Sequence, residues 1–207
     1  MKSRARAAVI AAGSIALALI ITLANPRHSR VEEWSLATAY VALLLLAVSL
    51  SLGPLNLVRR RHNPVHNSVR RDFGIAAGFA ALLHTALGLQ VHLGGRVARY
   101  FTLPADPPSG SMAFVAANYL GLISAGIFLG LVAISNNPAI RKLGLPRWKR
   151  AQRLAYAAAI AAAAHGFIYQ FLEKRGVTGW AVSVSVFFIV SLLQLHGRRH
   201  RTSSTIQ

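Results

Sequence analysis

The chain has 207 residues, 54% of them hydrophobic, with 23 lysines and arginines against 5 acidic residues and no cysteine, for a formal charge of +18. A mean hydropathy of +0.46 is too high for an ordinary water-soluble domain and reads as a membrane protein. The absence of thiols excludes disulfides, iron–sulfur clusters and cysteine-held zinc, and the basic residues fall in short blocks between apolar runs, which argues for lipid headgroups and against nucleic acid as their partner.

The first apolar run covers residues 6 to 24. Behind its basic start it has the look of a secretory signal. It is longer than the usual h-region, and Asn25-Pro26 continues a cleavage site poorly, so a retained helix is expected. Further runs at 36 to 58, 72 to 94, 113 to 135, 152 to 172 and 179 to 197 are long enough to cross a bilayer, giving six spans in a single all-α unit over residues 1 to 207.

Lys and Arg set the orientation, because short basic loops stay in the cytoplasm. Lys2, Arg4 and Arg6, then Arg59 to Arg61, Arg70 and Arg71, then Arg141, Lys142, Arg147, Lys149, Arg150 and Arg153, then Arg198, Arg199 and Arg201 fall on one side. The other side has Arg27, Arg30, Arg96, Arg99, Lys174 and Arg175. Seventeen against six, alternating at every loop, puts both termini in the cytoplasm of a multi-pass protein of the inner (plasma) membrane. Trp34, Trp148 and Trp180 each fall near the start of a span, where indole rings favour the headgroup region.

Between the spans, His62 and His66 have a metal-binding helical spacing, but Pro64 lies between them and favours solvated loop histidines. The external stretch 96 to 111 carries Pro104, Pro107, Pro108 and Gly110 and reads as an irregular loop.

His84 and His165 stand apart from the other histidines because each is embedded in an apolar run. At 1.5 Å per residue, His84 lies about 20 Å beyond Arg71 and His165 about 18 Å beyond Arg153. Both spans start on the same side, so the two imidazoles share one depth, near mid-membrane or slightly beyond. A buried imidazole without a partner costs roughly 2 to 7 kcal/mol, so an intramembrane histidine is a functional candidate by default. Two at one level suit opposite axial positions of a haem iron. The preceding faces are small in the same places, Ala77, Ala80 and Ala81 before His84 and Ala158, Ala161 and Ala162 before His165, which would leave a slot for a flat macrocycle. The pairs Gly74/Gly78 and Gly126/Gly130 suit close helix packing. His92, about 80° round the helix from His84, suits an interfacial role.

The run Arg70-Arg71-Asp72-Phe73-Gly74-Ile75 leading to Leu83-His84, with Lys142-Leu143-Gly144 and Arg147-Trp148-Lys149-Arg150 leading to Tyr156 and His165, resembles the ferric reductase-like transmembrane domain family. Within it, the likeness in kind is to the haem-binding membrane subunit of the bacterial methionine sulfoxide reductase system. The resemblance covers about residues 60 to 175. It implies a six-helix bundle holding haem b, with His84 and His165 as the axial ligands of the iron, that passes electrons across the membrane as a cytochrome b. The family's further histidine, thirteen residues before the later one, is replaced by Gln152, which leaves one haem expected and puts a second in doubt. No glycine-rich nucleotide-binding unit occurs within the 207 residues, so an oxidoreductase role requires an electron donor, a quinol or a flavin reductase, and a separate acceptor protein or metal ion. Bound flavin or quinone would serve the same purpose. Arg96, Arg99 and Tyr100, just past span three, are placed to neutralise haem propionates or to anchor the interface. The competing reading is a haem-free small transporter or scaffold whose histidines pack or relay protons.

Overall fold

The computed structural model describes residues 3–27, 29–58, 65–92, 95–103, 110–173 and 176–203. Among them no strand occurs. The helices are α1 (Ser3–Ala24), α2 (Arg30–Val58), α3 (Val65–Val91), α4 (Ser111–Ala133), α5 (Asn137–Leu143), α6 (Leu145–Gln152), α7 (Leu154–Leu172) and α8 (Val177–Ser203). Six of the helical segments are long and apolar enough to cross a membrane. The six span-length helices alternate in direction, so the start of α1 and the end of α8 lie on one face of the bundle, called here the terminal face.

The stretch between spans four and five is more ordered than its basic composition suggests. Asn136 caps α5, its side chain accepting from the Ala139 N–H at 2.8 Å. Gly144, at φ +74°, then turns the chain into α6, a backbone conformation that side chains disfavour. The fifth span-length segment runs Leu145–Leu172, broken only by a turn at Arg153 between α6 and α7. The stretch after span three is only partly irregular: Val97–Tyr100 forms a single 3₁₀ turn whose Tyr100 is buried, while Pro104, Pro107 and Pro108 lie outside the described residues.

Small residues and hydroxyls bring the helices together. A buried cluster of Leu46, Leu50, Ala77, Phe128, Ala158 and Ala159 joins α2, α3, α4 and α7. The Ser49 hydroxyl donates to the Arg70 carbonyl and the Ser124 hydroxyl to the Ala158 carbonyl, both at 3.0 Å, tying α2 to α3 and α4 to α7. Pro54 sits inside α2 and cannot donate back to the carbonyl of Leu50. The Gln194 amide on α8 donates to that carbonyl at 2.8 Å, so the helix break is repaired by a neighbouring helix, as an apolar medium requires.

The two glycine pairs diverge. A Cβ at Gly78 would run into Val132 of α4, consistent with close packing there, whereas Gly126 and Gly130 face open space. α1 and α8 are peripheral, with Ile15, Ile20, Phe188 and Leu195 all more than half exposed, as a lipid-facing surface would be. α1 is fastened at the terminal face by Arg6 and Asp72, whose guanidinium and carboxylate meet at 2.7 Å.

Candidate functional site

α3 and α7 do not pack tightly against each other: α3 lies on α2 and α4, and α7 on α4 and α8. The gap between them is a cavity of about 210 Å³ lined by all five of these main helices. His84 and His165 face each other across it, with ring centres 6.1 Å apart and planes inclined at 70°.

Both rings are held in the same way. His84 Nδ1 lies 2.8 Å from the Ser35 carbonyl oxygen, and His165 Nδ1 lies 2.8 Å from the Ala117 carbonyl oxygen. A carbonyl only accepts, so each Nδ1 carries a proton directed at it, and Nε2 is the nitrogen left to ligate. That orientation, one nitrogen donating to backbone so that the other can ligate, is the usual arrangement of a metal-binding imidazole. The helices permit it through missing side chains. In a helix the side chain at i+4 leans back over the carbonyl at i, so Gly121 leaves the Ala117 carbonyl open. A Cβ at position 121 would stand 2.8 Å from His165 Nδ1 and 3.0 Å from Cε1. On the other side, Gly88 borders His84, where a Cβ would lie 3.9 Å from its Cε1.

The alanines have separate roles. Ala81 and Ala162 line the cavity, whereas Ala77 and Ala158 are fully buried in the helix-packing core and Ala80 packs towards α1 and α2. The slot expected on two matched alanine faces is therefore bounded by one alanine of each face and by the glycines of α3 and α4.

Away from the terminal face, an aromatic and polar cluster continues from His165. Tyr169 packs on His165 with ring centres 4.9 Å apart, and its hydroxyl donates to the Asn118 side-chain oxygen at 2.8 Å. The Asn118 amide donates to the Tyr100 carbonyl at 3.2 Å. His92 stacks on Tyr169 at 6.0 Å, with its Nε2 3.3 Å from a Glu173 carboxylate oxygen. The Tyr100 hydroxyl receives the His92 backbone N–H at 2.7 Å and donates to the His92 carbonyl, closing the end of α3. Burial pushes the Tyr100 phenol above its ordinary pKa. His92 is thus part of the same cavity and pins the far ends of α3 and α7 together, a closer involvement than an interfacial position implies.

Arg96 and Arg99 are exposed and do not line the cavity. Gln152 lies at the end of α6 and donates to the Ser135 hydroxyl at 3.3 Å. His62 and the side chain of His66 lie outside the described residues. The described residues contain no group of three or more His, Asp or Glu that could hold a bare metal ion. A porphyrin, which brings four nitrogens of its own, asks the protein for two ligands.

The sequence profile of the ferric reductase like transmembrane component matches residues 35–163. The chain belongs to the ferric reductase-like transmembrane family. The match begins at Ser35, whose carbonyl orients His84, and ends two residues before His165. A comparison with curated proteins returns no match. Membership marks the chain as a multi-pass membrane protein of an electron-transfer family.

Proposed function

We propose that the chain is a membrane cytochrome b: a haem b-binding electron-transfer subunit in which His84 and His165 are the axial ligands of one iron. The facing imidazoles are the observation that carries this reading. Two metal–imidazole bonds of about 2.0 Å, with ~1.1 Å from each nitrogen to its ring centre, separate the centres by about 6.2 Å. The ring centres stand 6.1 Å apart, and each Nδ1 is turned to a backbone carbonyl, which supports ligation through Nε2. When bound, haem supplies a one-electron couple between ferric and ferrous iron.

The protein's own contribution is to fix the rings and exclude water. The carbonyls of Ser35 and Ala117 set ring rotation and strengthen the imidazoles as donors. Apolar walls at Leu46, Ala125 and Phe128 close the terminal side of the cavity. With a basic terminal face in the cytoplasm, electrons enter from a quinol or a flavin reductase there, with bound flavin or quinone as alternative carriers, and leave to a separate acceptor protein or metal ion at the far face. Two histidines across one cavity, with Gln152 bonded to Ser135 instead, support one haem per chain.

Purified from haem-replete cells, the protein is expected to show a low-spin Soret band, a sharp reduced α-band and a pyridine haemochrome ratio near one. His84→Ala and His165→Ala should each abolish the low-spin spectrum. A colourless preparation, or unchanged spectra in both variants, would refute the assignment.

A further inference from the structure

One buried side-chain atom of the cavity has no hydrogen-bond partner among the described residues. Gln170 on α7 is 3% exposed, and its Oε1 accepts no hydrogen bond. Its Nε2 donates to the Tyr40 hydroxyl of α2 at 3.2 Å, which leaves the Tyr40 proton to be given elsewhere. Both residues line the same cavity as His84 and His165. α8 presses them in place: a Cβ at Gly179 would come within 2.9 Å of Gln170 Oε1 and 3.0 Å of the Tyr40 hydroxyl. An unpaired amide oxygen in an apolar setting costs about 1 to 3 kcal/mol, so this pair is suited to a ligand that brings one donor and one acceptor.

The charge of the cavity narrows the choice. Among the described residues no lysine or arginine lines it; its acids are Glu32, with the Arg27 guanidinium 4.0 Å away, and Glu173, beside His92, both at the far face. A carboxylate beside Tyr40 and Gln170 would meet no lysine or arginine among the described lining residues. A neutral carboxylic acid, by contrast, gives its O–H to Gln170 Oε1 and accepts the Tyr40 O–H on its carbonyl oxygen. Gln170 lies five residues past His165 towards the far face and is met by the Tyr40 hydroxyl from α2, while Ser124, on the terminal side, is spent on the Ala158 carbonyl.

We infer that Tyr40 and Gln170 receive one propionic acid group of the haem in its protonated, uncharged form. The inference rests on the haem reading above. It assigns to Tyr40 and Gln170 the carboxyl contact that the sequence suggested for Arg96, Arg99 and Tyr100.

The test uses the full chain in lipid nanodiscs, loaded with haem carrying ¹³C-labelled propionate carboxyls, and reads isotope-edited infrared spectra. The expected result is a labelled C=O stretch of a neutral carboxylic acid, shifted or lost in Gln170→Leu and in Tyr40→Phe. In parallel, apoprotein titrated with haemin and with haemin dimethyl ester should bind the ester about tenfold more weakly, roughly one neutral buried hydrogen bond, and Gln170→Leu should lose that preference. Labelled bands of ionised carboxylate alone in the wild-type protein, with a low-spin spectrum intact, would overturn the inference and leave the haem assignment standing. Failure of the wild-type protein to take up haem at all would overturn both. Should Gln170→Leu fail to fold, the wild-type infrared spectrum and Tyr40→Phe decide the matter.

Discussion

Replacing Gly121 by alanine tests whether the tethering of His165, and not merely its presence, makes the ligand. The added methyl would sit 2.8 Å from His165 Nδ1 and 3.0 Å from Cε1, where contacts of about 3.5 to 4.0 Å are comfortable. The ring must retreat by roughly 0.5 to 1 Å, and its 2.8 Å bond to the Ala117 carbonyl stretches or breaks. Alanine gains about 1 kcal/mol over glycine in helix propensity, which offsets much of the roughly 1 to 3 kcal/mol of overpacking. The bundle should therefore fold. Loss of such an orienting partner ordinarily costs about 10- to 100-fold in metal affinity. The expected outcome is a protein of normal helicity and monodispersity with a haem-to-polypeptide ratio well below wild type and partial conversion to a high-spin spectrum. Gly126→Ala, five residues along the same helix in open space, provides the control and should keep full haem. Equal haem content and identical spectra in the two variants would refute the argument that the close approach at Gly121 positions the ligand.

Two further predictions concern the far end of the cavity. His92→Ala should keep one haem per chain and the low-spin spectrum, because His92 pairs with Glu173 and stacks on Tyr169; a lost Soret band would make it a ligand instead. For Tyr100, burial raises the folded-state pKa above its ordinary value of 10.0, so its contribution to stability is fully present below about pH 10 and is lost as pH rises through the raised value. Thermal melts across that alkaline range should show the loss in the wild-type protein and a flatter profile in Tyr100→Phe; matching profiles would remove Tyr100 as the titrating group.

Much of the site can be seen in the sequence, and what cannot has a common cause. Hydrophobic length is a local, additive property, so the six spans could be located from composition alone. Parity then made the third and fifth spans parallel, and counting residues from the arginine clusters put His84 and His165 at one depth. Local chemistry also exposed Gln152 as a poor ligand. The structure brings the two imidazoles to 6.1 Å, as their common depth allowed. The alanine faces misled because direction is not depth: Ala77 and Ala158 lie seven residues, about 10 Å along the axis, from their histidines and fall in the packing core, while Ala81 and Ala162, three residues away, reach the cavity.

The amino-acid sequence by itself determined the class, the number of crossings and the level of the histidine pair, since each depends on counts along a single helix. Only the tertiary structure decided which ring nitrogen donates, why Gly121 is bare, how His92 meets Glu173 and that Tyr40 meets Gln170. Those contacts join positions 48 to 130 residues apart and depend on helix rotation and on the absence of a single methyl group. Periodicity records which face of a helix is apolar; it does not record which atom of a neighbouring helix that face will touch.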